Sequence, residues 1–460
     1  MNEKLAAALG HVKSTYVADA AKRKSRRPVW ITVAAAILIL AFLLNTPSIP
    51  LIVAAQAVSL APDSRKTDRP EYGTADHDKW MAENTLRKNN RTEILPALTA
   101  FSKECSSLVL QGRENALWSP VNAYIGLSMA AELVGGETKE ELLSVLGARS
   151  NDQLRSGVSA LWETIYENNG KEVSVLANSL WLDNDVSYEQ SVMDNIAHYY
   201  YASVYRGDLG SPKTNRAIGT WLSNETGGFL KDRTEKVELS RNSLLALVST
   251  VYFQAQWRDE FNAGLTDTGV FHSPSGDHQV TYLNAKRRDM HYYWGEDYAA
   301  VALGLKNGST MWLILPDEDK SIADVLDSGE YMSHFTNMSG ENSKYMKVNL
   351  SLPKFDVAAS ADLKPALQEM GIEEIFDIYC TDFWDSIHAE TTVYLDSIRQ
   401  DSRVAIDEEG IIAASYIILD FGAGAAQPPD EEVDFIVNRP FLFAITHSGI
   451  PLFMGAVNEP

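Results

Sequence analysis

The chain runs to 460 residues, 45% hydrophobic and 22% charged. That is enough apolar material for a large core, and it excludes a disordered or fibrous chain. Its 40 basic and 62 acidic residues leave a net charge of −22, a surface that repels phosphate backbones and argues against nucleic acid as a partner. Two cysteines, Cys105 and Cys380, allow one disulfide at most, which excludes a disulfide scaffold and a zinc cage built from thiolates.

The charge is unevenly spread. Residues 1–28 hold seven Lys/Arg against two Asp/Glu, residues 29–60 hold none, and the remaining 33 basic and 60 acidic residues give the rest of the chain −27. A basic cluster, Lys22-Arg23-Lys24-Ser25-Arg26-Arg27, precedes an apolar run over 29–44 that uncharged residues extend to Leu60. Positive charge before an apolar run predicts a cytoplasmic N-terminus and a body on the far side of the membrane. Three readings stand: a retained transmembrane signal anchor over residues 29–57, a signal peptide cleaved at the small-x-small Ala55-Gln56-Ala57, or a buried core helix. The first holds the body at the extracellular face of the cell membrane, behind a basic tail of residues 1–28 that suggests a bacterium. The second secretes it. Residues 58–90, with Pro62, Pro70 and Gly73 among many polar side chains, predict a linker.

From residue 91 onward the chain reads as one large α+β domain, 91–460. Apolar residues at Ile94, Leu98, Phe101, Cys105 and Leu108 predict a helix, and residues 120–133 and 139–146 predict two more. Strand patterns follow over 173–182, 244–253, 348–352, 433–437, 441–446 and 452–457. Residues 299–305 and 310–315 flank Asn307-Gly308 and predict a hairpin. Cys105 on the apolar face of its helix, and Cys380 in a loop, read as free structural thiols.

Catalytic patterns are missing. There is no Gly-x-Ser-x-Gly elbow and no His-Glu-x-x-His. Gly135-Gly136-Glu137-Thr138-Lys139 lacks the spacing and ending of a phosphate loop. The nine histidines are scattered, and no context selects one carboxylate pair for acid/base work. Neither an enzyme nor a cofactor or metal site is expected.

The informative stretch is 404–440. A strand, Val404-Ala405-Ile406, meets Asp407-Glu408-Glu409 and then Gly410, a residue free to take backbone angles that others cannot. Residues 411–419 are apolar and alternate, with Ile411, Ala413, Ser415, Ile417 and Leu419 on one face and Tyr416 on the other. Gly422-Ala423-Gly424-Ala425-Ala426 and Pro428-Pro429 follow. By pattern this is a core strand with a loop, or an exposed, aggregation-prone edge.

A series of motifs resolves the choice. Asn115-Ala116-Leu117-Trp118-Ser119-Pro120, Gly135-Gly136-Glu137-Thr138 with Glu140-Glu141-Leu142, and Tyr252-Phe253-Gln254-Ala255-Gln256-Trp257 occur in that order. They are followed by Thr268-x-x-Phe271, Leu315-Pro316, Leu352-Pro353-Lys354-Phe355, Asp407-Glu408-Glu409-Gly410, Asn438-Arg439-Pro440-Phe441 and Pro451-Leu452-Phe453-Met454-Gly455. Together they resemble the serpin family over residues 91–460. The resemblance implies three β-sheets with eight or nine helices and an exposed reactive-centre loop. It also implies a mechanism. A target serine protease attacks the loop, and after acylation the loop inserts into the main sheet and traps the enzyme as a covalent acyl complex. It implies a hinge at Glu408, Glu409, Gly410, Ile411, Ile412, Ala413, Ala414 and Ser415, and breach and shutter residues Trp257, Ser119, Asn122, Ser249 and Gln400. Three of these depart from the family pattern: Asn122 stands for a usual Ser, Ser249 for Asn, and Gln400 for His. Counting from the hinge places the scissile bond at Gly424–Ala425, within the range Phe421 to Gln427. The absence of Lys or Arg between Gly410 and Val437, with small residues at the bond, implies an elastase- or subtilisin-like target. The alternative is a non-inhibitory serpin acting as a binding protein or a passive protease substrate. The expected state is a monomer.

Overall fold

The computed structural model describes residues 56–60, 70–168, 172–230, 237–336, 342–396, 398–411 and 430–460. Of the two units into which the chain divides, only the second, Ile52–Pro460, contains described residues. The apolar run over 29–44 and the basic tail lie outside them. Among the described residues, no helix is long and apolar enough to cross a membrane.

The first helix, Ala75–Val109, is far longer than expected and takes in half of the anticipated linker. The reason is local. Thr74 caps it by accepting a hydrogen bond from the His77 N–H, Asp76 and Asp78 lie in the first turn, and no Gly or Pro interrupts the chain before Pro96. Acidic residues there suit the positive end of the helix dipole. The polar first half carries no apolar period, so it reads as linker. It is nevertheless held: Arg87 pairs with Glu163 on helix Asn151–Ile165. The other early boundary also moves. Gln56–Ser59, placed at the join of anchor and linker, is a short strand antiparallel to Ala202–Gly207.

Most of the remaining expectations hold. Helices occupy Pro120–Leu133 and Gly136–Val145. The hairpin pairs Tyr298–Gly304 with Ser309–Pro316. Strands cover Val173–Asp183, Leu245–Gln256, Ser343–Pro353, Glu432–Ile436, Phe441–His447 and Ile450–Val457. Nine α-helices occur among the described residues. Among the described residues, hydrogen bonding divides the strands into four sheets, where three were expected. A six-stranded sheet runs in the order Gln56–Ser59, Ala202–Gly207, Val173–Asp183, Leu245–Gln256 and Gly410–Ile411, with Glu167–Asn168 beside Val173–Asp183. A nine-stranded sheet ends on Glu432–Ile436, parallel to Ser343–Pro353. Asp356–Asp362 pairs with Arg399–Ala405 alone, and Ser187–Tyr188 with Ile387–His388. The fourth sheet arises because no ladder joins Leu245–Gln256 to Arg399–Ala405.

Among the described residues the larger of two apolar cores holds Trp118, Trp257 and Trp312 in full burial, and a smaller one gathers around Trp181. Cys105 and Cys380 are both free and buried, as expected, and burial pushes the Cys105 thiol up to about 12. Gly157 lets helix Asn151–Ile165 lie against helix Ala75–Val109, since a Cβ there would sit 2.7 Å from Ile94 Cγ1. Gly157→Val therefore overpacks the contact. It is expected to cost about 1–3 kcal/mol, read as a lower melting temperature by scanning calorimetry.

Candidate functional site

Strand Leu245–Gln256 offers one edge to Val173–Asp183, and among the described residues its other edge is paired only at Gly410–Ile411. The fragment is antiparallel to it, with Gly410 opposite Gln256 and Ile411 opposite Ala255. Ile411 also bridges Ile406 in antiparallel sense, just past the end of Arg399–Ala405. The two long strands therefore run parallel, with one foreign strand begun between their upper ends. Below Ile411 no described residue pairs with either facing edge. A narrow crevice is lined by Val251 and Phe253 on one side and Ser402 and Val404 on the other. A second, wider one lies further along, between Leu247 and Ser249 on one side and Ile398 and Gln400 on the other.

The turn that aims the fragment is fixed by its own residues. Asp407 Oδ1 accepts from the Glu409 and Gly410 N–H groups, and the Asp407 N–H donates to the Gly410 carbonyl. Trp257, fully buried, braces it: its indole N–H donates to the Asp407 carbonyl at 2.8 Å and its backbone N–H to the Glu409 carbonyl at 2.9 Å. Glu408 is held from two sides, by Lys354 Nζ at 2.6 Å and by the Thr266 hydroxyl at 2.9 Å. Burial opposes its ionisation. The Lys354 contact, its own backbone and Thr266 outweigh that, so its carboxyl titrates below the ordinary glutamate range. Gly410 is required by space, because a Cβ would stand 2.4 Å from the Ala255 carbonyl oxygen and 2.7 Å from Gln256 Cα.

Ser119, Asn122, Ser249 and Gln400 converge under the slot at the start of helix Pro120–Leu133. Gln400 grips the backbone of Ser119 with both ends of its amide, accepting from the N–H at 2.6 Å and donating to the carbonyl at 3.2 Å. The Ser249 hydroxyl lies within hydrogen-bond reach of the side-chain oxygens of Asn122 and Asn178, and its one proton serves either of them in turn. Of the residues that depart from the family pattern, Ser249 and Asn122 thus partner each other, while Gln400 is satisfied by the backbone of Ser119. The exception is the buried Ser119 hydroxyl, which has no hydrogen-bond partner among the described residues. Ile412, Ala413, Ala414 and Ser415 of the hinge, and the stretch from Phe421 to Gln427 with Gly424 and Ala425, lie outside the described residues. Sequence reasoning missed Lys354, Thr266 and Asn178. Asn178 had a signal, a polar residue on the inward face of an otherwise apolar strand. The roles of Lys354 and Thr266 depend on pairings distant in sequence.

Gly410–Ile411 thus begins a strand between two parallel neighbours. Comparisons with known proteins place this arrangement in a family. A family model described as serpin (serine protease inhibitor) matches residues 97–460. The chain is 26% identical to an uncharacterised serpin-like protein of Thermococcus kodakarensis, over 85% of this chain and 90% of that one. It is 25% identical to plasminogen activator inhibitor 1 of Bos taurus, over 84% and 95%. The native-state structure of the thermophilic serpin tengpin superposes with a TM-score of 0.73 at 22% identity, covering 89% of this chain and all of that one. The chain belongs to the serpin family, whose members are generally protease inhibitors.

Two outcomes are expected. Gly410→Val should drive residues 410–411 out of the slot, seen as faster hydrogen exchange at the Trp257 amide, whose acceptor is Glu409. Because the folded-state pKa of Glu408 is depressed, its stabilising effect is full above the ordinary glutamate range and is lost as pH falls through the folded value. Exchange across 407–411 should therefore rise on acidification below about 4, and Lys354→Met should shift that rise to higher pH.

Proposed function

We propose that the protein is an irreversible, single-use inhibitor of serine proteases with small-residue preference, of the elastase or subtilisin type. The observation that carries this reading is the slot itself, already begun by Gly410–Ile411, with no further strand in it among the described residues. Cleavage beyond residue 420 would free the segment after Ile411 to continue the register started at Gly410 and Ile411. Residue 413 would then face Phe253, residue 417 Ser249 and residue 421 Leu245. Ile411 is buried, so the odd-numbered positions would face the core: Ala413, Ser415, Ile417 and Leu419, small or apolar throughout. Tyr416 would face outward.

The energy comes from unmade backbone bonds. A strand of about a dozen residues gains partners on both sides. At about 0.5–1.5 kcal/mol net per bond the gross gain is on the order of 10–20 kcal/mol, comparable to the whole stability of a domain. An uncut chain is then held by a barrier rather than by depth of well. Insertion drags the acylated protease away from the loop's starting point and distorts its active site, so deacylation stalls. Body and loop act outside the cytoplasm, with residues 29–57 as the anchor, or as the leader of a secreted form. The bond broken is Gly424–Ala425.

The test is to mix the full-length chain with elastase, subtilisin and chymotrypsin, run a denaturing gel, and weigh the released peptide. The expected result is a complex that survives boiling and a cut within 421–427. Cleavage without a trapped complex would favour the passive-substrate alternative. The parity of the register gives a sharper check. Ala413→Arg should abolish trapping while leaving cleavage intact, and Ile412→Arg, on the outward face, should have the weaker effect.

A further inference from the structure

The helix beneath the slot, Pro120–Leu133, is tied to the Leu245–Gln256 half of the sheet at both ends, and only the upper tie was legible from the sequence. Near its far end lies Glu132, whose side chain is 1% exposed. Its two oxygens take a forked contact from Arg155, Nε to Oε1 at 2.9 Å and Nη2 to Oε2 at 2.7 Å. Oε1 also accepts from the Tyr200 hydroxyl at 2.7 Å. Tyr200 is itself fully buried, at the junction of helix Gln190–Tyr199 and strand Ala202–Gly207. Its carbonyl accepts from Asn178 Nδ2 at 2.8 Å, and Asn178 is one of the two acceptors of the Ser249 hydroxyl. A closed ring results: helix, Asn122, Ser249, Asn178, Tyr200, Glu132 and back to the helix.

The other half of the sheet holds the same helix by a different contact: Gln400 of Arg399–Ala405 grips the backbone of Ser119 at the helix start. To admit a strand, the two halves must separate by about 4.8 Å, the spacing of neighbouring strands. If the helix stays with Gln400, that motion falls on Ser249–Asn122 and on Tyr200–Glu132, and a bond of 2.7 Å does not survive it. Arg155 has a long, partly exposed side chain that can follow the carboxylate. The buried phenol of Tyr200 cannot.

We propose that the Tyr200–Glu132 hydrogen bond is a second latch on the sheet, a positioning pair that sets how readily the slot opens without touching loop or protease. This rests on the insertion reading given above. The latch acts before cleavage as well as after it, so it governs the rate at which an uncut chain takes up its own loop and loses activity.

The experiment uses the full-length chain and Tyr200→Phe, which removes one hydroxyl and keeps the ring. Uncut protein is held at raised temperature, and the loss of its ability to trap subtilisin or elastase is followed with time, alongside the melting temperatures of uncut and loop-cleaved forms. A hydrogen bond to a charged group is among the stronger kinds, so we expect Tyr200→Phe to lose trapping about tenfold faster while the loop-cleaved form melts unchanged. Loss at the wild-type rate, or equal destabilisation of both forms, overturns the latch. If Tyr200→Phe does not fold, Glu132→Gln takes its place. It keeps an acceptor for Tyr200 and gives up the ion pair, and it should convert within about threefold of wild type. A tenfold acceleration there would assign the effect to Arg155 and overturn the proposal. Wild-type protein that traps neither protease sinks the insertion reading itself. Wild-type protein that traps while Tyr200→Phe behaves identically sinks only the latch.

Discussion

Everything in this molecule depends on two strand edges that face each other and do not bond. Leu245–Gln256 and Arg399–Ala405 each have one satisfied side. Among the described residues their facing sides are joined only through Gly410–Ile411 and Ile406. Unpaired strand edges are usually a liability that proteins blunt or cover. Here they lie above a packed core, one strand apart in function and already primed by the chain that would fill them. The cost is carried by the polar contacts that span the slot from below.

Those contacts come from unusual residues, and the exchange is informative. Ser249 is a short donor, so it can reach Asn122 and Asn178 only by lying close to both. Gln400 replaces an aromatic ring with a carboxamide that can both donate and accept, and it engages the backbone of Ser119 rather than its hydroxyl. The orphaned Ser119 hydroxyl is the residue of that trade. A buried unsatisfied polar group costs about 1–3 kcal/mol, a further contribution to a closed state that is serviceable rather than optimal. Stability given up at such a site is what a chain poised to rearrange requires.

Much of this was legible in the sequence, and the parts that were not share a cause. The hinge was readable because Asp407-Glu408-Glu409-Gly410 packs a turn signal, charge and a glycine into four residues at the end of a strand. The hairpin around Asn307-Gly308 was readable for a similar local reason, whereas Trp257 was singled out only through the family resemblance. Helix Ala75–Val109 was half hidden because residues 75–90 are held by capping, helix-forming composition and the Arg87–Glu163 contact, none of which leaves an apolar period. The partners of Glu408 come from residues 266 and 354, and Tyr200 meets Glu132 across 68 positions. Pairings that far apart are set by topology, and a single sequence carries no local mark of them. The division into four hydrogen-bonded sheets rather than three was hidden for a different reason: it reflects bonds that are not made.

In the insertion proposed above, the hinge limits the process without preventing it. Gly410 enters the slot because its missing Cβ lets the backbone approach Ala255 closely, and Ile411 follows because its side chain finds the core. Beneath them the lining changes. Phe253 and Val404 accept apolar residues, but Ser249, Gln400 and the start of helix Pro120–Leu133 present polar groups already bonded to one another. A chain that advances past the first crevice must break those bonds before its own ladder replaces them, so the barrier lies at the level of Ser249. Hydrogen bonds lost there come early and those gained come late. A free end, produced by cleavage, removes the loop-closure constraint on the segment and lets the later gain be reached. That asymmetry makes a cut the trigger.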